Sequence, residues 1–518
     1  MDPGSQRKHH AALVIIVALV YGFGLTRDFT EPWIGLHDWN GAFYSQLARN
    51  LNRYPFSMHH GMPVVAMGEK TPSPTEKSSY ARHPPGLAWV LAGAFKICGE
   101  SEAVARSVSI VASLGSVILL IHLVSLAHGR VTGLVAGAIY ALMPMSIYFG
   151  RMVNHEPVCL FFMLLTATGW RSVGNLPHSR NARSWAMVVC CLSLWVMAWM
   201  DWPGILFAGV FCIAVLWQWR QNAATGVATM ACLATTLVAS ASVLIFLVYV
   251  GLNGRWEDLA AIVQARRETV ADISILQPLQ HVVSNLTWPI AGLWGLGVAM
   301  PRLVRNSSFS ADPAGAGAMN ALSITGWVWA LAFWRQFQIH EYWMFYLGPC
   351  VAAGAAVTFV KSIDVIRTRQ RSWALFVALV LALVIGAFCI RGTMDYYQRV
   401  KWPAEEWAAW REIHDATSAN ERVALAWSPI AVERQGHYEF RNIVPAQMAY
   451  YLDRAFDVIA DSADAERFAD DHRMLVFRAR TASLCNPLLA GVAGQCPAKA
   501  IGPLVVVGWH GPVAQEGR

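Results

Sequence analysis

The chain has 518 residues, 55% of them hydrophobic and only 14% charged, against roughly 25% charge in soluble domains. This excludes one soluble fold, because several stretches can cross a hydrocarbon core about 30 Å thick, which takes roughly 20 apolar residues in a helix. The formal charge of +7 is scattered over short loops, a pattern that reports membrane topology and argues against a nucleic-acid partner.

In chain order, Met1 to His10 carries Arg7 and Lys8, and Ala11 to Leu25 follows without a small-residue cleavage site, as expected of a retained signal anchor. Further apolar runs occupy 84–98, 103–127, 131–149, 155–172, 184–200, 203–219, 225–251, 282–301, 318–334, 342–360 and 372–390. Orientation decides which of them cross. The run 84–98 is short, opened by Pro84-Pro85-Gly86 and interrupted by Lys96, so it is expected to lie at the outer interface. With the N-terminus inside, the loops with Arg130, with Arg171, Arg180 and Arg183, with Arg220, with Arg302 and Arg305, and from Lys361 to Arg371 then fall on the cytoplasmic side, as the positive-inside rule requires.

The expected fold is an α-helical polytopic membrane protein of about eleven transmembrane helices, with interfacial helices in the first external loop. The transmembrane domain covers 1–392, with external loops at 26–102 and 252–281, and a small C-terminal α/β soluble domain covers 393–518. In that domain strand-like runs (Val423 to Trp427, Met474 to Arg478, Leu504 to Trp509) alternate with helix-like stretches (Ala404 to Ala416, Ala446 to Ala460). Eight cysteines lie in apolar segments and read as small hydrophobes. Cys485 and Cys496 sit in the polar C-terminal region and are candidates for a disulfide in an oxidising compartment.

This topology puts Asp38, in Leu36-His37-Asp38-Trp39-Asn40, and Glu156, in Arg151-Met152-Val153-Asn154-His155-Glu156-Pro157, on the same outer face at membrane level. An ionisable group at the edge of a span is a functional candidate by default. Asp38 also reads as a cap for the helix beginning near Trp39, and the two roles can coexist.

The early Asp38, a helix with Tyr44 and Ala48, Arg82-His83-Pro84-Pro85-Gly86, the run Gly99 to Arg106, and the second acidic motif ending in Glu156 together resemble the protein mannosyltransferase and aminoarabinose lipid A transferase group. These are membrane glycosyltransferases of the C-type fold. The resemblance is strong over about 30–172, and Gln338-Ile339-His340-Glu341-Tyr342 is similar to a late His-Tyr segment of many members. It implies a polyprenyl-phosphate-linked sugar donor, inverting transfer, and a glycan, lipid or protein acceptor. By resemblance Asp38 takes the role of base and Glu156 orients acceptor or sugar.

A departing phosphate needs donors at the outer leaflet, for which Arg82, His83 and His340 are candidates. Arg82 also reads as a snorkelling side chain and His340 as a helix cap. Glu341 and Tyr342 extend that set, and Arg267, beside Arg266, is a weaker member that also fits a solvated amphipathic helix. Many relatives carry a Lys-Gly pair where this chain has Met200-Asp201-Trp202-Pro203-Gly204. Asp201 can bind sugar hydroxyls, hold an Arg, help ligate a divalent cation (the one cofactor left open), or simply cap the following span. Trp39 and Trp202 can stack on a sugar or belong to an interfacial aromatic belt.

Asn285-Leu286-Thr287 matches a glycosylation acceptor but arises often by chance, and the glycines of Gly292 to Gly297 lie in an apolar helix, not a nucleotide-binding turn. The competing classes are a transporter or flippase of a lipid-linked sugar, against which the lack of paired halves speaks, and a non-catalytic relative. The expected location is a bacterial inner membrane.

Overall fold

In a computed structural model, the structure describes residues 3–35, 37–68, 78–175, 180–221, 226–257, 260, 276–299, 313–334, 340–399, 404–418, 421–426, 446–459, 474–478, 498–501 and 504–507. Arg266, Arg267, Cys485 and Cys496 lie outside the described residues.

Six helical stretches among the described residues are long and apolar enough to cross a membrane: Ser5–Leu25, Glu102–His128, Asn181–Met200, Leu233–Leu252, Glu341–Arg369 and Arg371–Gln398. Two bent pairs raise the number to eight. Arg130–Leu142 turns by 64° into Pro144–Gly150, because Pro144 bars a helical Met143 and begins the next helix at its first position. Gln280–Leu286 turns by 102° into Trp288–Ala299 through Thr287, which is left-handed at φ 67°. Three further helices, His155–Asn175, Trp202–Gln221 and Pro313–Ala332, occupy other apolar runs. The segment 84–98 forms only the short helix Gly86–Cys98.

Along Arg371–Gln398 large apolar side chains stand exposed, among them Leu375, Phe376, Leu379 and Leu383. An exposed apolar face of that length is stable only against lipid. Elsewhere helices meet through small residues: a Cβ on Gly137 would lie 2.2 Å from Ile121, and one on Gly133 2.0 Å from the Ser125 hydroxyl, so these glycines let Arg130–Leu142 approach Glu102–His128.

By packing the chain divides into two compact units: Met1–Phe29, Ala81–Leu87 and Arg106–Gln398 in the first, Thr30–Tyr80, Ala88–Ala105 and Arg399–Arg518 in the second. The first external loop is shared between the two units, and Arg399–Arg518, most of the expected C-terminal domain, falls in the second. Residue 392 itself lies inside the helix Arg371–Gln398.

In the second unit, helix Asp38–Arg53 places Gln46 and Asn50 on the backbone oxygens of Val64 and Ala66, beside the short antiparallel pair Val64–Val65 and Ser78–Ser79. The C-terminal segment forms a five-stranded sheet in the order Ala455–Ile459, Arg422–Ala426, Met474–Arg478, Leu504–Val507, Ala498–Ile501. The first three strands are parallel and the last two pair antiparallel. Helices Ala404–Ala416 and Ala446–Leu452 pack together.

The expected helix over Ala446 to Ala460 is corrected. It ends at Leu452 because Asp453 turns left-handed at φ 41°, and Ala455–Ile459 pairs instead as a parallel strand with Arg422–Ala426.

Candidate functional site

Within the first unit, the side chains of His83 and Tyr346 and the Trp202 backbone converge on Asp201, which is 2% exposed. His83 Nδ1 lies 2.9 Å from Asp201 Oδ1, and the Trp202 backbone N–H donates to the same oxygen at 2.8 Å. The Tyr346 hydroxyl donates to Oδ2 at 2.7 Å. Asp201 is thus the cap expected for Trp202–Gln221, its carbonyl accepting the Gly204 N–H at 3.0 Å, and in addition the partner of a histidine. It holds His83, where the sequence allowed an Arg.

The turn that presents His83 is fixed on both sides. Trp202 Nε1 donates to the Arg82 carbonyl at 2.8 Å. Gly86 passes so close to the next helix that a Cβ there would lie 2.4 Å from the Trp199 carbonyl oxygen. The His83 ring stacks on His155, centroids 4.7 Å apart and planes 14° from parallel, and His155 Nδ1 contacts the Met200 carbonyl at 2.6 Å. Glu156 follows at the start of His155–Asn175, 2% exposed. Its Oε2 is buried without a hydrogen-bond partner among the described residues, an arrangement that costs free energy unless something fills it.

A second polar group in this unit surrounds Glu341, 5% exposed. The Tyr396 hydroxyl donates to Glu341 Oε2 at 2.9 Å, and His281 Nδ1 lies 3.3 Å from the same oxygen. Asn285 Nδ2 donates to the Glu341 carbonyl at 3.2 Å, and the Tyr396 hydroxyl also bonds Asn285 Oδ1. Asn285 is fully buried, which supports reading its glycosylation triplet as chance. His340 begins the 3-10 helix Glu341–Leu347 without a side-chain cap bond. Its ring stacks on Trp343 at 4.9 Å, and its Nδ1 meets the Tyr342 hydroxyl at 2.7 Å.

Asp38 and Trp39 belong to the second unit. Asp38 is the first residue of its helix, whose cap position is His37. Its Oδ2 accepts the Gly35 N–H at 2.8 Å, while its own N–H donates to the Gly35 carbonyl at 3.1 Å. This reciprocal clip replaces the expected cap, since a carboxylate in the first turn reaches back to the preceding loop. Trp39 stacks on Phe43 at 5.3 Å with planes 7° apart.

The same unit contains a charged cluster. Arg53 forks onto Asp453 at 2.9 and 2.6 Å, and Arg49 bonds Glu100 Oε1 through both Nε, at 2.8 Å, and Nη2, at 2.6 Å. Burial alone would raise the Asp453 carboxyl, but the Arg49 and Arg53 guanidiniums outweigh it and hold it below its ordinary value. A cavity of ≈ 280 Å³ opens beside these pairs, lined also by Arg411 and His414.

Sequence reasoning did not select Tyr346, His155, His281 or Tyr396. His155 adjoins a selected acid, while the other three carry no local signal. Among the described residues no group of three or more His, Cys, Asp or Glu converges as a metal site, and both Asp201 oxygens already accept hydrogen bonds.

Comparison with known proteins gives a match of residues 82–246 to the family described as dolichyl-phosphate-mannose-protein mannosyltransferase. The chain resembles that transferase group. The fold is similar to ArnT from Cupriavidus metallidurans bound to undecaprenyl phosphate, at 13% identity and TM-score 0.59 over 98% of both chains. It is also similar to the oligosaccharyltransferase AglB from Archaeoglobus fulgidus in complex with an inhibitory peptide and a dolichol-phosphate, at 11% identity and TM-score 0.57 over 94% of this chain and 71% of that one. No curated protein matches the sequence.

Proposed function

We propose that this protein is an inverting glycosyltransferase that moves a sugar from a polyprenyl-phosphate carrier to a glycan, lipid or protein acceptor on the extracytoplasmic face of the membrane. The observation that supports this most directly is Glu156. A carboxylate buried at the start of an apolar helix, with an oxygen that nothing in the described protein satisfies, is suited to a hydroxyl-bearing substrate. The full-length similarity to a structure holding undecaprenyl phosphate supports the donor class.

In the proposed reaction the acceptor hydroxyl oxygen attacks the anomeric carbon, the carbon–oxygen bond to phosphate breaks, and polyprenyl phosphate departs with the electron pair. Asp38 takes the hydroxyl proton. Glu156 orients acceptor or sugar. Arg82, His83 and His340 balance the charge on the leaving phosphate, and Asp201 keeps His83 oriented for that task instead of opposing the phosphate as a lone carboxylate. Trp39, Glu341, Tyr342 and Arg267 are assigned to substrate binding. Eleven spans place the N-terminus in the cytoplasm and residues 393–518 outside, in a bacterial inner membrane.

The test is Asp38→Asn in membranes supplied with a polyprenyl-phosphate sugar. Transfer is expected to fall by about two to four orders of magnitude. Unchanged transfer rules out the base assignment, and sugar crossing sealed vesicles without glycosidic product points to a transporter.

A further inference from the structure

Both ends of the helix that carries Asp38 are held by one short element far along the chain. At its N-terminal side the Tyr451 hydroxyl accepts the Trp33 backbone N–H at 2.8 Å and donates to Glu102 Oε1 at 2.8 Å. Trp33 is 1% exposed and lies under the first turn of Asp38–Arg53. A Cβ on Gly41 would sit 2.3 Å from its ring, so only glycine permits that contact. Between Trp33 and the helix, the Gly35–Asp38 clip sets the carboxylate. At the other end Arg53 forks onto Asp453, Arg49 donates to the Tyr450 carbonyl at 3.0 Å, and the Gly68 N–H reaches Asp453 Oδ1 at 3.3 Å.

We propose that the segment 446–453 is a positioning element for Asp38, with Tyr451 and Asp453 as its positioning residues. The proposal rests on the reading of Asp38 as the base. Its physical content is that a helix pinned at both ends cannot rotate or slide, so its first-turn carboxylate keeps one location. Catalysis is sensitive to that location, since a misplacement of about 1 Å costs on the order of a hundredfold. The C-terminal segment therefore acts on the rate of transfer through Asp38, without itself touching substrate.

The experiment compares Tyr451→Phe, Arg53→Lys, Asp38→Asn and, as a surface control, Lys499→Ala, whose ammonium pairs with Glu412 at 2.9 Å on an exposed face. Each is made in the full chain, reconstituted in liposomes and assayed with a polyprenyl-phosphate sugar. Tyr451→Phe is expected to lower kcat by about ten- to a hundredfold, with donor KM within about twofold and a folded protein whose melting temperature falls by only a few degrees, about 2–4 °C per hydrogen bond lost. Arg53→Lys, which keeps the charge but loses the fork, is expected to act in the same sense. A Tyr451→Phe kcat equal to that of the control, or a loss confined to KM, overturns the proposal. Should Tyr451→Phe not accumulate as folded protein, Arg53→Lys decides by the same criteria. If Asp38→Asn retains full transfer the base reading itself fails. If Asp38→Asn is inactive while Tyr451→Phe is normal, only the positioning inference fails.

Discussion

His83 and Asp201, 118 positions apart in sequence, lie 2.9 Å apart in the fold, so the Asp201 carboxylate has an imidazole partner in place of a lysine or arginine. Tyr346 and the Trp202 N–H complete its shell, and a buried acid so satisfied acts as a fixed orienting group. The two side-chain partners of Asp201 are therefore unequal under mutation. His83→Ala leaves Asp201 buried without that partner and is expected to cost about 3–5 kcal/mol. Tyr346→Phe removes one hydroxyl donor and should cost about 1–3 kcal/mol. Thermal unfolding in detergent checks the order, and a larger loss for Tyr346→Phe contradicts it.

Glu156→Gln separates chemistry from stability. Because Glu156 Oε2 has no hydrogen-bond partner to lose among the described residues, the near-isosteric amide should alter stability by less than about 1 kcal/mol. Sugar transfer should fall at least about a hundredfold. Equal transfer by the folded variant would remove Glu156 from the site.

How much of this could be read beforehand differs from residue to residue. Continuous apolar runs of about 20 residues become helices in a bilayer because a helix satisfies every backbone group within the run, whereas a closed β-barrel needs shorter alternating strands, so the positions of helices such as Arg371–Gln398 were legible. The cap role of Asp201 was legible too, from Asp-Trp-Pro at the head of an apolar run. The partnership of Asp201 with His83 was not, since it depends on how the Pro84-Pro85 turn meets Met200. The helix break at Asp453 had no cue in composition: Ala446 to Ala460 has helical character throughout, and tertiary bonds from Arg53 and the Gly68 N–H override it. Tyr346 and Tyr396 carry no local signal, since their carboxylate partners lie 145 and 55 residues away in sequence.

Acid should weaken the second unit through Asp453. Its carboxyl is held below the usual value of 3.8 by Arg49 and Arg53 after burial is overcome. The stabilisation is therefore complete above about pH 4 and is lost as the pH falls through the lower folded value. The difference in melting temperature between the parent and Asp453→Asn should shrink as pH is lowered through that window. A difference that grows on acidification would reverse the sign and refute the argument.

Gly86→Ala tests the fixed turn. The added methyl would meet the Trp199 carbonyl oxygen at 2.4 Å, a backbone atom that cannot swing aside. Overpacking of this kind costs about 1–3 kcal/mol, and the shift should also loosen His83, seen as weaker donor binding. A melting temperature and donor KM equal to those of the parent would show that the turn is free to adjust.

Asn285 should carry no glycan when the chain is made in a glycosylating compartment, because its amide donates to the Glu341 carbonyl inside the fold. Enzymatic deglycosylation should leave electrophoretic mobility unchanged, and a shift that Asn285→Gln abolishes would disprove the burial.

The second compact unit is assembled from three stretches of chain that end at Tyr80, Ala105 and Arg518, and the Arg53–Asp453 pair closes a separation of 400 residues. During synthesis the first two stretches emerge early, yet their partners are made last. The helix bearing Asp38 must wait, unclosed, while the ribosome adds nearly the whole membrane portion, at about 5–20 residues per second. A chain stopped before residue 446 would leave Arg49 with Glu100 alone and Arg53 without its carboxylate, which makes synthesis of 446–453 a natural checkpoint between an inserted protein and a working one.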